Sequence, residues 1–288
     1  MTVEADTFLP VRRAGPRLRH LALFFVACMF VGFGLFPLYM MITTSLKTDQ
    51  QTFAWPPQFL FSPTIDAYYN ALFLFGGGNV GRFLFNSVLV TLASSAIAVF
   101  LGAMAAYGLA RFRFRGNRDT AFYILSTRFA PPVGFIVPIY LMVQRVGLLD
   151  NQLALIIVYT SMNLSFVTWV LRGFFLEIPI QIEEAAFVDG YSRWQIFLRV
   201  ALPLVRPGLA ATAILSAIFS WNEFLFASIL APGSAATIPV YLAGFSASMN
   251  VAWAEYMAVG TMAVLPIMIF TLVLQRHLVR GLTFGAVR

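Results

Sequence analysis

Apolar and polar positions fall in long blocks along this chain. Leu21 to Ile42 carries no charge, and further uncharged or nearly uncharged runs are Phe85–Ala110, Thr120–Val143, Leu153–Leu171, Leu209–Leu230 and Tyr256–Leu274. Each is close to the roughly 20 residues a helix needs to cross a hydrocarbon core. Backbone groups in lipid must be satisfied within their own segment, so helices are the required conformation. The pattern predicts an all-α integral membrane protein with six transmembrane helices and both termini on one side. The basic stretch before the first run could be a secretory leader. However, that run is longer than a leader's apolar region and lacks a small-x-small exit, so an uncleaved first span is expected. The expected organisation is a tail at 1–20, a first span with its loop at 21–82, a core of spans two to six at 83–276, and a tail at 277–288.

Composition agrees with this picture. Sixty per cent of the 288 residues are hydrophobic, 11% are charged, and the mean hydropathy is +0.81. A soluble domain carries about a quarter charged residues. The net charge of +7 is not a nucleic-acid signal here, because the basic residues cluster in short segments between apolar runs. Four lie in 1–20, four in 111–119, four in 172–208 and three in 275–288. On the other side stand Lys47, Arg82 and Arg145. This asymmetry predicts that both termini are cytoplasmic. The lone cysteine, Cys28, offers neither a disulfide nor a metal site.

One polar island is expected to project into the cytoplasm between spans four and five. Pro179 suits a helix start, Glu183 and Glu184 favour its positive end, and Gly190 can supply a left-handed stop. Ser192 and Gln195 have capping-box spacing, so a second short helix is predicted to about Leu202, broken by Pro203 and Pro207. Residues 180–190 hold three acids and no base. A helix resting on an anionic leaflet usually carries Lys and Arg, so docking into a protein groove fits better than lipid contact.

Two charges stand inside apolar runs. Glu223, beside Asn222, is a candidate for a translocation path or gate, or equally for a structural pair. Arg128 is expected either to snorkel inward or to pair with an acid such as Glu223. Pro131, Pro132 and Pro138 interrupt the third run, which makes a hinge a hypothesis there. Gly102, Ala103, Ala105, Ala106 and Gly108 suit close helix packing. Glu255, at the outer edge of the sixth run, is expected to be solvated.

The sequence Glu184-Ala185-Ala186, then Asp189-Gly190, Phe197, Leu202-Pro203-Leu204 and Pro207 resembles the EAA loop of binding-protein-dependent ABC importer permeases. Asn86-Ser87, Trp221-Asn222-Glu223-Phe224 and the tail Gly281-Leu282-Thr283-Phe284-Gly285-Ala286-Val287 resemble its MalG-like branch, which serves sugars, polyols and glycerol phosphate esters. Tyr191 stands where the family usually has Ala. The resemblance implies a permease of the bacterial or archaeal cytoplasmic membrane whose coupling helix carries Glu183, Glu184, Ala185, Ala186, Asp189 and Gly190. It implies a second contact through Gly281, Leu282, Thr283 and Gly285. The implied partners are a homologous second permease, two ATP-binding subunits and an external solute-binding protein. The chain has no G-x-x-x-x-G-K-[ST] loop, so no cofactor is expected on it. ATP and Mg are expected on the partner ATPases. The competing class is an ion-gradient-driven secondary transporter, which would need midplane ion ligands and often inverted repeats.

Overall fold

A computed structural model describes residues 16–74, 80–246 and 252–283. Among these residues every regular element is a helix. A long first helix, α1 (Pro16–Ser45), leads into two short helices, α2 (Asp49–Thr52) and α3 (Asp66–Phe73). The long α4 (Val80–Arg111) follows, then α5 (Asn117–Ser126) with a 3₁₀ turn at Thr127–Phe129, and α6 (Pro132–Arg145). Next come α7 (Gln152–Glu177), α8 (Ile180–Val188) and α9 (Arg193–Ile196). A π turn at Phe197–Ala201 joins α9 to α10 (Leu202–Leu204). The chain ends with α11 (Arg206–Trp221), α12 (Leu225–Leu230), α13 (Ile238–Ser246) and α14 (Trp253–Thr283).

Four segments are each long and apolar enough to cross a membrane: Leu23–Ser45, Val80–Arg111, Gln152–Glu177 and Trp253–Leu272. Two bent pairs raise the number to six, one at residues 117–129 and 132–145, bent by 90°, and one at 193–204 and 206–221, bent by 78°. The first pair is the expected third span. Its break falls at Ala130, whose extended backbone precedes Pro131, as a residue before proline prefers. Pro138 stays inside α6.

The expected fifth span, 209–230, is not one helix. Its first part, α11, stops at Trp221, and α12 resumes at Leu225. Both carboxylate oxygens of Glu223 accept the Phe226 N–H, at 3.1 and 3.2 Å, and Oε2 also accepts that of Ala227 at 3.2 Å. The side chain therefore caps the first turn of α12. Pro203 does not end the second island helix either. The preceding turn widens, with Leu202 N–H bonding to Phe197 C=O, and the bend comes at Val205.

The centre is the pair α4 and α7, with α11 packed on both. A Cβ on Gly102 would meet Val167 Cγ1 at 2.6 Å, so only glycine allows this approach. Ala103 and Ala106 share the buried face, while Ala105 is exposed and Gly108 touches no neighbour there. A polar seam runs between the same helices. Asn163 donates to Ser220 Oγ at 2.9 Å, Ser220 and Ser94 hydroxyls lie 3.2 Å apart, and Thr160 donates to Ser94 C=O at 3.3 Å. In an apolar medium such bonds replace the hydrophobic drive between helices.

α1 packs on α14 and leaves Phe24, Phe25 and Phe33 exposed. Ser45, at the end of α1, shares a 2.7 Å hydrogen bond with Tyr68 of α3, and Asn70 of α3 donates to Glu255 near the start of α14 at 3.0 Å. The two long helices therefore run antiparallel. Glu255 is not solvated as expected: it is buried against α3, a helix within the stretch expected to be a loop.

Candidate functional site

Two polar assemblies occupy opposite ends of α4 and α7. At one end lies the island. α8 closes with Asp189 N–H bonded to Ala185 C=O, Gly190 N–H to Phe187 C=O and Tyr191 N–H to Ala186 C=O. That is a Schellman stop, and Gly190 takes the left-handed backbone it requires, φ +88°. Ser192 then caps α9. Its hydroxyl accepts Gln195 N–H at 3.3 Å, and the Gln195 side chain accepts Ser192 N–H at 2.8 Å. The predicted helix–turn–helix is present.

Glu183 does not face outward. It is 6% exposed and ion-paired with Arg111, Nε to Oε1 at 2.7 Å, among the described residues the one ion pair in the fold. Tyr107 donates to its other oxygen at 2.8 Å, and Arg111 also donates to Ile178 C=O at 3.0 Å. Ala186, one turn on, is buried too. Of these two members of the expected contact set, Glu183 instead holds α8 to the end of α4, and Ala186 is turned inward with it. Glu184, Ala185, Asp189 and Gly190 are exposed. Beside them stand two residues that sequence reasoning passed over, Phe187 and Val188, the latter 86% exposed. A groove of about 340 Å³ runs next to them, lined by Tyr107, Arg111, Glu184, Phe187 and Arg193. Arg193 lies over the rings of Phe112 and Phe187 at 5.4 and 5.9 Å. The outward surface is thus an apolar knob flanked by acids, suited to a protein groove. Gly281, Leu282 and Thr283 close α14, whereas Gly285 lies outside the described residues.

The intramembrane candidates divide. Arg128 and Glu223 line one cavity of about 120 Å³ with Tyr159, Met162, Asn163, Phe219 and Ser220. They are not ion-paired. Arg128 Nη1 donates to Met162 C=O at 3.0 Å, and its guanidinium sits 4.7 Å from the centre of the Phe219 ring. Asn163 Oδ1 is buried there with no donor among the described residues. Asn222 turns back to Ile218 C=O at 2.8 Å and is otherwise exposed.

At the opposite end, Asp150 joins two loops. Its carboxylate accepts the N–H groups of Gly233, Ser234 and Ala235 at 3.0, 2.7 and 3.1 Å. Burial pushes its carboxyl up, but these donors outweigh burial and hold it below the ordinary carboxylate value. A Cβ on Gly233 would meet Asp150 Oδ2 at 2.8 Å. Asn86 secures the same loop, donating to Ser234 and Ala236 C=O at 3.0 and 2.9 Å, and Ser87 Oγ accepts Ile238 N–H at 2.7 Å.

Residues 98–284 match the family described as the binding-protein-dependent transport system inner membrane component. The chain is 36% identical over 261 residues to the probable ABC transporter permease protein y4oR of Sinorhizobium fredii, covering 91% of this chain and 93% of that one. It is 35% identical to the trehalose transport system permease protein SugB of Mycobacterium tuberculosis, covering 90% and 94%. A crystal structure of a bacterial ABC transporter involved in import of the acidic polysaccharide alginate shares the fold, with TM-score 0.77 at 24% identity, over 94% of this chain and 100% of that one.

Proposed function

The chain belongs to the family of binding-protein-dependent transport system inner membrane components, and from that premise we propose that it is the permease subunit of an ATP-driven importer of a sugar, polyol or related carbohydrate. The carbohydrate class is supported by the trehalose relative. In this reading the chain is a multi-pass protein of the bacterial inner membrane with both termini cytoplasmic. It forms half of a translocation path with a second permease. Two ATPase subunits carry ATP and Mg, and a solute-binding protein delivers cargo from outside. The observation that carries the reading is α8: a short helix outside the bundle, tied to α4 by a buried ion pair and presenting Glu184, Phe187 and Val188 away from it. ATPase closure would press on that face and so rock the helices that frame the path. Arg128, Asn163 and Glu223 belong to the path wall in this scheme, although Glu223 also has the structural role of capping α12.

The test is reconstitution in vesicles. The chain with its partner permease, the ATPases and the binding protein should take up labelled carbohydrate only when ATP is inside the compartment that holds the ATPases. Uptake by the purified chain alone, driven by an ion gradient without ATP, would sink the proposal in favour of a secondary transporter.

A further inference from the structure

On the flank of the bundle at the Glu183 end, a cavity of about 600 Å³ opens between the start of α5 and the last turns of α7. It is lined by Arg118, Asp119, Ala121, Phe122, Trp169 and Arg172. Neither the coupling surface nor the path wall uses it. Arg172 stands five residues before the end of α7, about 8 Å along the axis from the polar end. That is near the end of the apolar span, not its centre. Its Nε is buried and has no hydrogen-bond partner among the described residues. Burying a guanidinium N–H unmet is costly, so the site is short of an acceptor. Arg118 adds a second guanidinium and Asp119 one carboxylate, which leaves a net charge of about +1. Phe122 and Trp169 are exposed at 64% and 39%. Two exposed aromatics beside two arginines suit a membrane interface.

We propose that this cavity binds the phosphate of an anionic phospholipid in the leaflet at the Glu183 end. The planar guanidinium fork matches phosphate oxygens bidentately. A phosphodiester bears one negative charge, equal and opposite to the site. The volume leaves room for the glycerol beside the phosphate, with acyl chains leaving past Phe122 and Trp169. Basic pockets between transmembrane helices are a recurring way to hold such headgroups. Asp119 opposes the phosphate charge and so holds the affinity below what the two arginines alone would give.

The experiment uses the assembled transporter in nanodiscs of phosphatidylcholine, with or without phosphatidylglycerol, and counts retained lipid by native mass spectrometry. The wild type should keep one phosphatidylglycerol that Arg172→Ala loses, with roughly tenfold weaker binding. Arg118→Ala should act in the same direction. Arg118 is exposed, so this variant keeps the test intact if Arg172→Ala fails to assemble. Asp119→Asn should tighten binding, and Arg115→Ala, outside the cavity, should change nothing. Equal retention by wild type and Arg118→Ala would overturn the proposal. So would displacement of the lipid by inorganic phosphate with equal occupancy, which would mark a soluble-anion site. A crosslink from Arg172 to the partner permease with no lipid retained would overturn it as a subunit contact.

Discussion

Glu183 and Glu184 are neighbours in sequence and opposites in role. The first is buried against Arg111 and the second is exposed. Removing one partner of a buried pair leaves an uncompensated charge, at a cost of about 3–5 kcal/mol. Arg111→Ala should therefore lower the melting temperature of the purified chain sharply and cost transport with it. Restoring most of the stability in the double variant Arg111→Met, Glu183→Met would identify the charge as the cause. Glu184→Lys should leave stability within about 0.5 kcal/mol of wild type and so barely move the melting temperature, since it is a surface change. Uptake should be lost, and ATP hydrolysis should no longer respond to substrate. Normal uptake by Glu184→Lys would remove the docking assignment. Gly190→Arg should do both kinds of damage, because the left-handed backbone costs a side chain about 1–2 kcal/mol.

At the scale of elements, the caps were readable and the breaks were less so. Ser192 with Gln195, and Asp189 with Gly190, are local signals acting over three or four residues, and both appear as expected. The inward turn of Glu183 was not readable. Its neighbour has the same side chain, and partners more than 70 positions away, Arg111 and Tyr107, decide which acid faces in. The gap between α11 and α12 was hidden for another reason. An average over twenty apolar residues does not register a three-residue interruption whose one charge is absorbed by backbone N–H groups. Pro131 and Pro132 predict an interruption of the third run, but not its 90° angle. Replacing Pro131 and Pro132 by Ala restores helical backbone bonding at the break. Uptake should then fall while the complex still assembles on size exclusion. Unchanged uptake would show that the bend is architecture and not a hinge.

For the whole molecule, the loop closure at Asp150 sets an acid limit. Its folded carboxyl lies below the ordinary value, so the closure contributes fully above about pH 4. It is lost as pH falls through the lower folded value. Melts of the purified chain should be insensitive to this group near neutrality and should drop in acid. Asp150→Asn should lower stability by about 1 kcal/mol at pH 7 and flatten the acid drop. A wild-type acid drop that Asp150→Asn leaves unchanged would place the titration elsewhere. The six-run pattern captured the global layout because apolar length is a property of the chain alone. The closure at Asp150 was invisible because it joins residues more than 80 positions apart.

The Arg111–Glu183 tie has one more consequence, which lies in mechanics. α4 contains no proline between Val80 and Arg111. It grips α8 at one tip and, through Asn86 and Ser87, the 233–238 loop near the other. The grips are 25 residues apart, about 37 Å of unbroken helix. A strut of that kind has little compliance along its length. Thrust received at α8 would be passed along this helix toward the far loop. On this geometry, moving one face of the protein should move the other.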